Sequence, residues 1–137
     1  MEVKNAVQPT AEQVQAFVGG GDGPIVMVNL LKFREKAEYP DGRDSELSGA
    51  DAYLRYATAM KKLVEAGGGR FIFGGKVRTL LLGSVESLWD QVGLVEYPSP
   101  AGLLKIATSP EYQEIEVHRL AGLEGQLNIE TTGASVF

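Results

Sequence analysis

Cysteine is absent from all 137 residues. That excludes a disulfide framework, a Cys-ligated zinc site and a thiol nucleophile together, and it fits a cytoplasmic protein. Histidine occurs once, as His118. With one His and no Cys, there is no convincing ligand set for a metal, and none is expected. The 13 Lys and Arg residues are outnumbered by 18 Asp and Glu, giving a net charge of −5. No basic cluster offsets this, so nucleic acid is not an expected partner. Apolar runs are short. Ile25 to Leu31 is among the longest, far below the roughly 20 residues needed to cross a bilayer. The first residues lack the charged start and apolar stretch of a secretory signal, so neither secretion by that route nor a membrane partner is expected. No Gly-x-Gly-x-x-Gly follows a strand, nothing resembles a nucleophile elbow, and Gly74-Gly75 is not a phosphate loop. No cofactor is expected.

What is present is an ordinary globular composition, 44% hydrophobic and 23% charged. A chain of this length forms one domain and buries a sizeable core without staples. The domain expected is 1–137, undivided.

The element order follows from periodicity and punctuation. Thr10 caps a short helix, with Gln13 at capping-box spacing and Val14, Phe17 and Val18 as its apolar stripe. Glycines 19 to 21 and 23 end it. Ile25 to Phe33 is a strand apolar on both faces, interrupted by Asn29. Residues 35–48 form the longest loop and are expected to be mobile. Ser48 caps a helix to about Ala66, with Tyr53, Tyr56, Ala57, Met60, Leu63 and Val64 on one face. Arg70 to Leu82 is strand-like, with Gly74-Gly75 marking a bend or close approach. Trp89 to Tyr97 is the next strand. Ser99-Pro100 and Ser109-Pro110 each open a helix. Gln126 to Thr132 closes the chain, with Leu127, Ile129 and Thr131 alternating against Gln126, Asn128 and Glu130. Such alternation implies one buried and one polar face.

That order is a helix followed by β-α-β-β-α-β, the ferredoxin-like arrangement. The fold class is α+β, with a core over residues 25–132 and an N-terminal helical extension over 1–24. Helices cover one face of such a sheet. The strands around Ile25, Phe71 and Phe73 are too apolar for the other face to meet water, so a second copy of the chain is the expected cover.

Gly68-Gly69-Arg70, Tyr97-Pro98-Ser99, Ser109-Pro110-Glu111-Tyr112-Gln113 and His118-Arg119 occur in an order and spacing that resembles domain-of-unknown-function family 1330. That family lies within the dimeric α/β-barrel superfamily. Asn29 to Arg34 (NLLKFR) resembles its branch with the longer N-terminus. The resemblance covers about residues 25–132. It implies a ferredoxin-like protomer that pairs, sheet against sheet, as a dimeric α/β barrel. It implies no activity. Relatives in the superfamily include cofactor-independent monooxygenases, haem-degrading enzymes, isomerases and simple ligand binders, and fold does not select among them.

Six residues stand out as candidates for chemistry. His118 titrates nearest neutrality and is the natural acid or base; its spacing from Ile115 points it toward the sheet. Arg119 suits a carboxylate or phosphate, with a local ion pair to Glu116 or Glu111 as the plainer account. Asn29 is an amide inside an apolar strand, satisfied either by the protein or by a ligand. Tyr53 and Tyr56 carry polar tips on an apolar helix face, and Trp89 opens a strand; packing is the plainer account for all three. The reading is a homodimeric small-molecule-binding protein, with Asn29, Tyr53, Tyr56 and Trp89 contacting the ligand. As a cofactor-independent enzyme it would use His118 and Arg119 on an aromatic or carboxylate metabolite. The alternatives are a non-catalytic ligand-binding or stress-associated protein, and a dimer surface with no pocket at all.

Overall fold

The structure is a computed structural model and describes residues 2–137. Helix starts are set by local hydrogen bonds. Thr10 Oγ1 accepts from the Gln13 N–H while the Gln13 side chain accepts from the Thr10 N–H, so the expected capping box forms at α1 (Ala11–Val18). Ser48 caps α2 (Gly49–Ala66). Ser99 and Ser109, each followed by proline, cap α3 (Pro100–Ala107) and α4 (Pro110–Gly122). Proline is tolerated there because the first helical N–H has no partner to lose.

The strands are β1 (Ile25–Phe33), β2 (Arg70–Lys76), β3 (Gln91–Tyr97) and β4 (Leu123–Thr131). They form one sheet in the order β2-β3-β1-β4, with every neighbouring pair antiparallel. This is the ferredoxin-like arrangement. Ile25, Met27 and Leu31 of β1 pack against Tyr53, Tyr56, Met60 and Val64 of α2, forming the main core with Val95, Tyr97 and Leu123. The intervening residues Val26, Val28 and Leu30 point to the opposite face and are only half-buried. They are joined there by Ile129 and Phe73, 47% and 58% exposed.

Several details differ from expectation. β2 ends at Lys76 rather than Leu82, because its partner β3 begins at Gln91, opposite Lys76. Beyond that pair a single bond follows, from the Val77 N–H to Asp90 O at 2.9 Å, and the regular ladder stops. Leu81 and Leu82 are 90% and 84% exposed. Val18, expected on the inner stripe of α1, is exposed; Val14 and Phe17 are half-buried. In β4 the alternation is real but inverted relative to the protomer. Gln126 is buried on the helix side, while Ile129 lies on the open face.

The loop over residues 34–48 is anchored rather than loose. The Ala37 N–H bonds to Leu47 O, the Glu38 N–H to Ala121 O, and Lys36 bridges Ser48. Ala37 and Tyr39 are buried in a second small cluster with Ala52 and Ala121. Tyr39 is the hub. Its hydroxyl accepts from Arg55 Nη1 (3.2 Å) and lies 2.7 Å from His118 Nδ1. Arg43 stacks over its ring at 4.5 Å, and Arg55 also binds Asp44 at 2.9 Å. With one lone pair given to Arg55, the Tyr39 proton is free to go to an unprotonated Nδ1. His118 thus turns outward to the loop, not toward the sheet.

α2 and α4 cross where glycines remove both side chains. A Cβ at Gly122 would overlap the Gly49 carbonyl and stand 2.7 Å from the Tyr53 nitrogen. Gly122→Ala is therefore expected to cost about 1–3 kcal/mol in denaturant unfolding. Gly23→Ala, whose Cβ would meet nothing, is expected to stay within about 0.5 kcal/mol; equal effects at the two sites would rule out the close crossing.

Burial, then the charges of Arg43 and Arg55, hold the His118 pKa below its usual 6.5. The native state favours the neutral ring, so below pH 6.5 the unfolded chain binds more protons. The loop's contribution is complete above 6.5 and is lost as pH falls through the folded value. As the only histidine, His118 gives an unambiguous NMR titration. A midpoint below 6.5 is expected, along with a mild-acid loss of stability that His118→Gln lacks. A midpoint at or above the usual value would contradict the neutral-acceptor geometry.

Candidate functional site

Between α2 and the helix side of the sheet lies a partly open cavity of about 270 Å³. Its floor exists because two side chains are missing. Gly74 of β2 and Gly93 of β3 are direct cross-strand partners, and Gly93 in turn pairs with Asn29 of β1. Paired residues share a face, so this row points at α2. A Cβ on Gly74 would meet nothing within 4 Å, and one on Gly93 only Asn29 Cβ at 3.9 Å. Neither glycine has a positive φ, so neither is demanded by the backbone. Their effect is to leave space.

The roof is aromatic. Tyr53 and Tyr56 descend from consecutive turns of α2, their rings 5.2 Å apart, and Tyr97 joins them from the end of β3. All three are more than nine-tenths buried. None of their hydroxyls has a hydrogen-bond partner among the described residues. Yet among the described residues only Arg34 Nε is a fully enclosed side-chain polar atom without one. The phenol oxygens therefore keep some accessible surface, and the cavity is what these residues line. Burial, the largest effect in each case, pushes the Tyr53 pKa up to about 12 and raises those of Tyr56 and Tyr97. All three are protonated donors at neutral pH.

Asn29 borders the cavity, but the protein satisfies its amide. Nδ2 donates to Gly93 O (3.2 Å), with a longer contact to Met27 O (3.4 Å), and Oδ1 accepts from Gln126 Nε2 (3.0 Å). Gln126 Oε1 accepts from Arg119 Nη2 at 2.8 Å, and Arg119 Nη1 donates to Val7 O at 2.7 Å. Arg119 thus pairs with no carboxylate, unlike the local ion pair the sequence offers as its plainer account. It forms the centre of a polar chain that ties the N-terminal segment to α4, β4, β1 and β3.

Of the six residues singled out by sequence, three meet at the cavity: Asn29, Tyr53 and Tyr56. The other three stand elsewhere. His118 is bonded to Tyr39 on the outer side of α4, Arg119 serves the polar chain, and Trp89 Nε1 donates to Asn5 Oδ1 at 2.8 Å. Tyr97, Gln91, Phe71 and the Gly74–Gly93 pair also line the cavity, beside aliphatic side chains such as Leu31, Met60 and Val95, and were not among the candidates. A glycine in the middle of the apolar strand Gln91–Tyr97 was the available signal. Among the described residues no group of three or more His, Asp or Glu is placed to hold a metal ion, and no helix is long and apolar enough to cross a membrane.

Comparison with known proteins gives a family but no activity. Among curated proteins nothing matches. The crystal structure of RPA0582, a protein of unknown function from Rhodopseudomonas palustris, is 32% identical with a TM-score of 0.85, covering 96% of this chain and 99% of that one. The methylated form of RPA0582 gives 32% and 0.87, covering 98% of both chains. An uncharacterized NIPSNAP-like domain protein from Burkholderia xenovorans shares the fold alone, at 19% identity and TM-score 0.50, covering 85% of this chain and 90% of that one. Residues 44–131 match the family described as Domain of unknown function (DUF1330), and the chain belongs to that family.

Proposed function

We propose that this protein is a homodimeric, cytoplasmic small-molecule-binding protein whose ligand occupies the cavity between α2 and the sheet. The observation that carries this reading is the Gly74–Gly93 floor beneath Tyr53, Tyr56 and Tyr97. Packed interiors leave few voids, and a row of glycines facing unpartnered phenols is a poor way to build a core. The volume suits a small ligand: a cavity of about 150 Å³ takes benzene, so this one has room for one or two rings.

Binding without catalysis is the reading the lining favours. No side chain bordering the cavity titrates near neutrality, and the candidate proton-transfer pair, His118 and Arg119, is engaged outside it. Asn29, Tyr53 and Tyr56 are the proposed contacts, with Tyr97 added. Pairing is proposed through the open face, where Val28, Leu94 and Ile129 form a contiguous apolar row across three strands. Exposed patches of this kind mark association surfaces.

Two measurements test the two halves. Light scattering at micromolar concentration is expected to give twice the protomer mass, and Ile129→Glu to shift it toward the monomer; a wild-type monomer would sink the pairing. Naphthalene, followed by saturation-transfer NMR, is expected to bind the wild type and not Gly93→Leu. That variant fills the floor and should keep or raise its thermal midpoint. Undiminished binding to Gly93→Leu would show that the cavity is not the site.

A further inference from the structure

We infer that the cavity selects an uncharged, planar aromatic molecule carrying a carbonyl or similar acceptor, and rejects carboxylates of the same size. This deepens the proposed ligand site and rests on it.

The first support is the charge of the lining. No Asp, Glu, Lys, Arg or His borders the cavity. Arg119 is close enough to lower the Tyr53 and Tyr56 pKa values somewhat, opposing the larger effect of burial. It does not border the cavity, however, and its two terminal nitrogens donate to Val7 O and Gln126 Oε1. A carboxylate entering here would shed water and find no cation to replace it, which is heavily unfavourable.

The second support is the kind of polar group on offer. The Asn29 amide is occupied at both ends. What remains are the hydroxyls of Tyr53, Tyr56 and Tyr97, together with the Gln91 amide, which also has no partner among the described residues. The phenols keep their protons far above neutrality, so they present hydrogens, and a ligand acceptor is their complement. These three residues line one space, and a ligand acceptor there can take the hydrogens that no protein group accepts, in exchange for water.

The third support is shape. The Gly74–Gly93 row exposes flat backbone, and the rings of Tyr53, Tyr56, Tyr97 and Phe71 share the walls with Leu31, Met60 and Val95. Tyr56 is further held edge-on by Tyr112, at 6.1 Å and 87°. A flat ring lies against peptide planes and meets aromatic faces and edges at favourable offsets; a branched aliphatic chain does neither.

The test uses the full chain and three matched probes, 1-acetylnaphthalene, naphthalene and 1-naphthoate, at about pH 7.5, where the acid is ionised. The ketone is expected to bind tightest. Naphthalene should be weaker by about 3- to 10-fold, the worth of one or two neutral hydrogen bonds, and naphthoate weaker than the ketone by about 100-fold or more. Tyr56→Phe or Tyr53→Phe should reduce ketone affinity by about 3- to 10-fold and leave naphthalene within about twofold. The probe series on the wild-type chain stands even if a variant fails to fold. Naphthoate binding as tightly as the ketone, in a manner that Gly93→Leu abolishes, overturns the ligand class and leaves the cavity as the site. The same holds if naphthalene equals the ketone. Failure of all three probes to bind overturns the class and the site together.

Discussion

Arg119 sits between α4 and β4 with both terminal nitrogens committed, one to the Val7 carbonyl and one to the Gln126 amide. Gln126 passes the chain to Asn29, and Asn29 to the carbonyls of Gly93 and Met27. Each link satisfies a polar group that would otherwise be stranded in the core, and removing any one would orphan the next. A charged donor strengthens the first links. The result is a hydrogen-bonded strut across three strands that also pins the N-terminal segment, whose Ala6 adds a bridge to Gln126.

That strut divides the helix side of the sheet into two halves. Toward β4 the face is filled with satisfied amides and a guanidinium. Toward β2 it is bare, because Gly93 and Gly74 continue the row that Asn29 begins. Asn29 marks the boundary. It holds the Gly93 carbonyl from its own side, which keeps β3 in register where no side chain does so. The cavity therefore depends on a polar network that it does not itself use. The same division explains why Arg119 adjoins the phenols electrostatically without entering their space.

The sequence made the element order legible because helix starts are local. Ser48, Ser99, Ser109 and the Thr10–Gln13 pair each act within three residues, and every one caps as read. What it concealed depended on pairing. The end of β2 is decided by where β3 begins, and no feature of the apolar run to Leu82 reports that. The direction of His118 was set by Tyr39, 79 residues away. Its spacing from Ile115 was a weaker guide, since residues three apart on a helix diverge enough for one to face the core and the other a docked loop. Tyr53, Tyr56 and Asn29 were found because polar tips on apolar faces are visible in one dimension. Gly93 was missed because a missing side chain matters only opposite another, and its partner Gly74 lies 19 positions earlier.

The inverted alternation of β4 follows from the same geometry. Gln126 belongs on the helix side because Arg119 and Asn29 are there to receive it, which sends Leu127 and Ile129 to the open face beside Leu30 and Val28. In β3 the neighbours Gly93 and Leu94 divide likewise, one into the cavity floor and the other into the open apolar row. Side chains alternate with a period of two, so no single residue of β1, β3 or β4 can serve both faces. Coupling between an occupied cavity and a paired sheet must then pass through the backbone. β2 pairs only with β3, and its register slips between Phe71 and Phe73. Phe73, folded over Gly75 on the open face, and Phe71 on the cavity side flank that slip. β2 thus places one aromatic ring on each face of the sheet within three residues, at an edge where only β3 pairs with it.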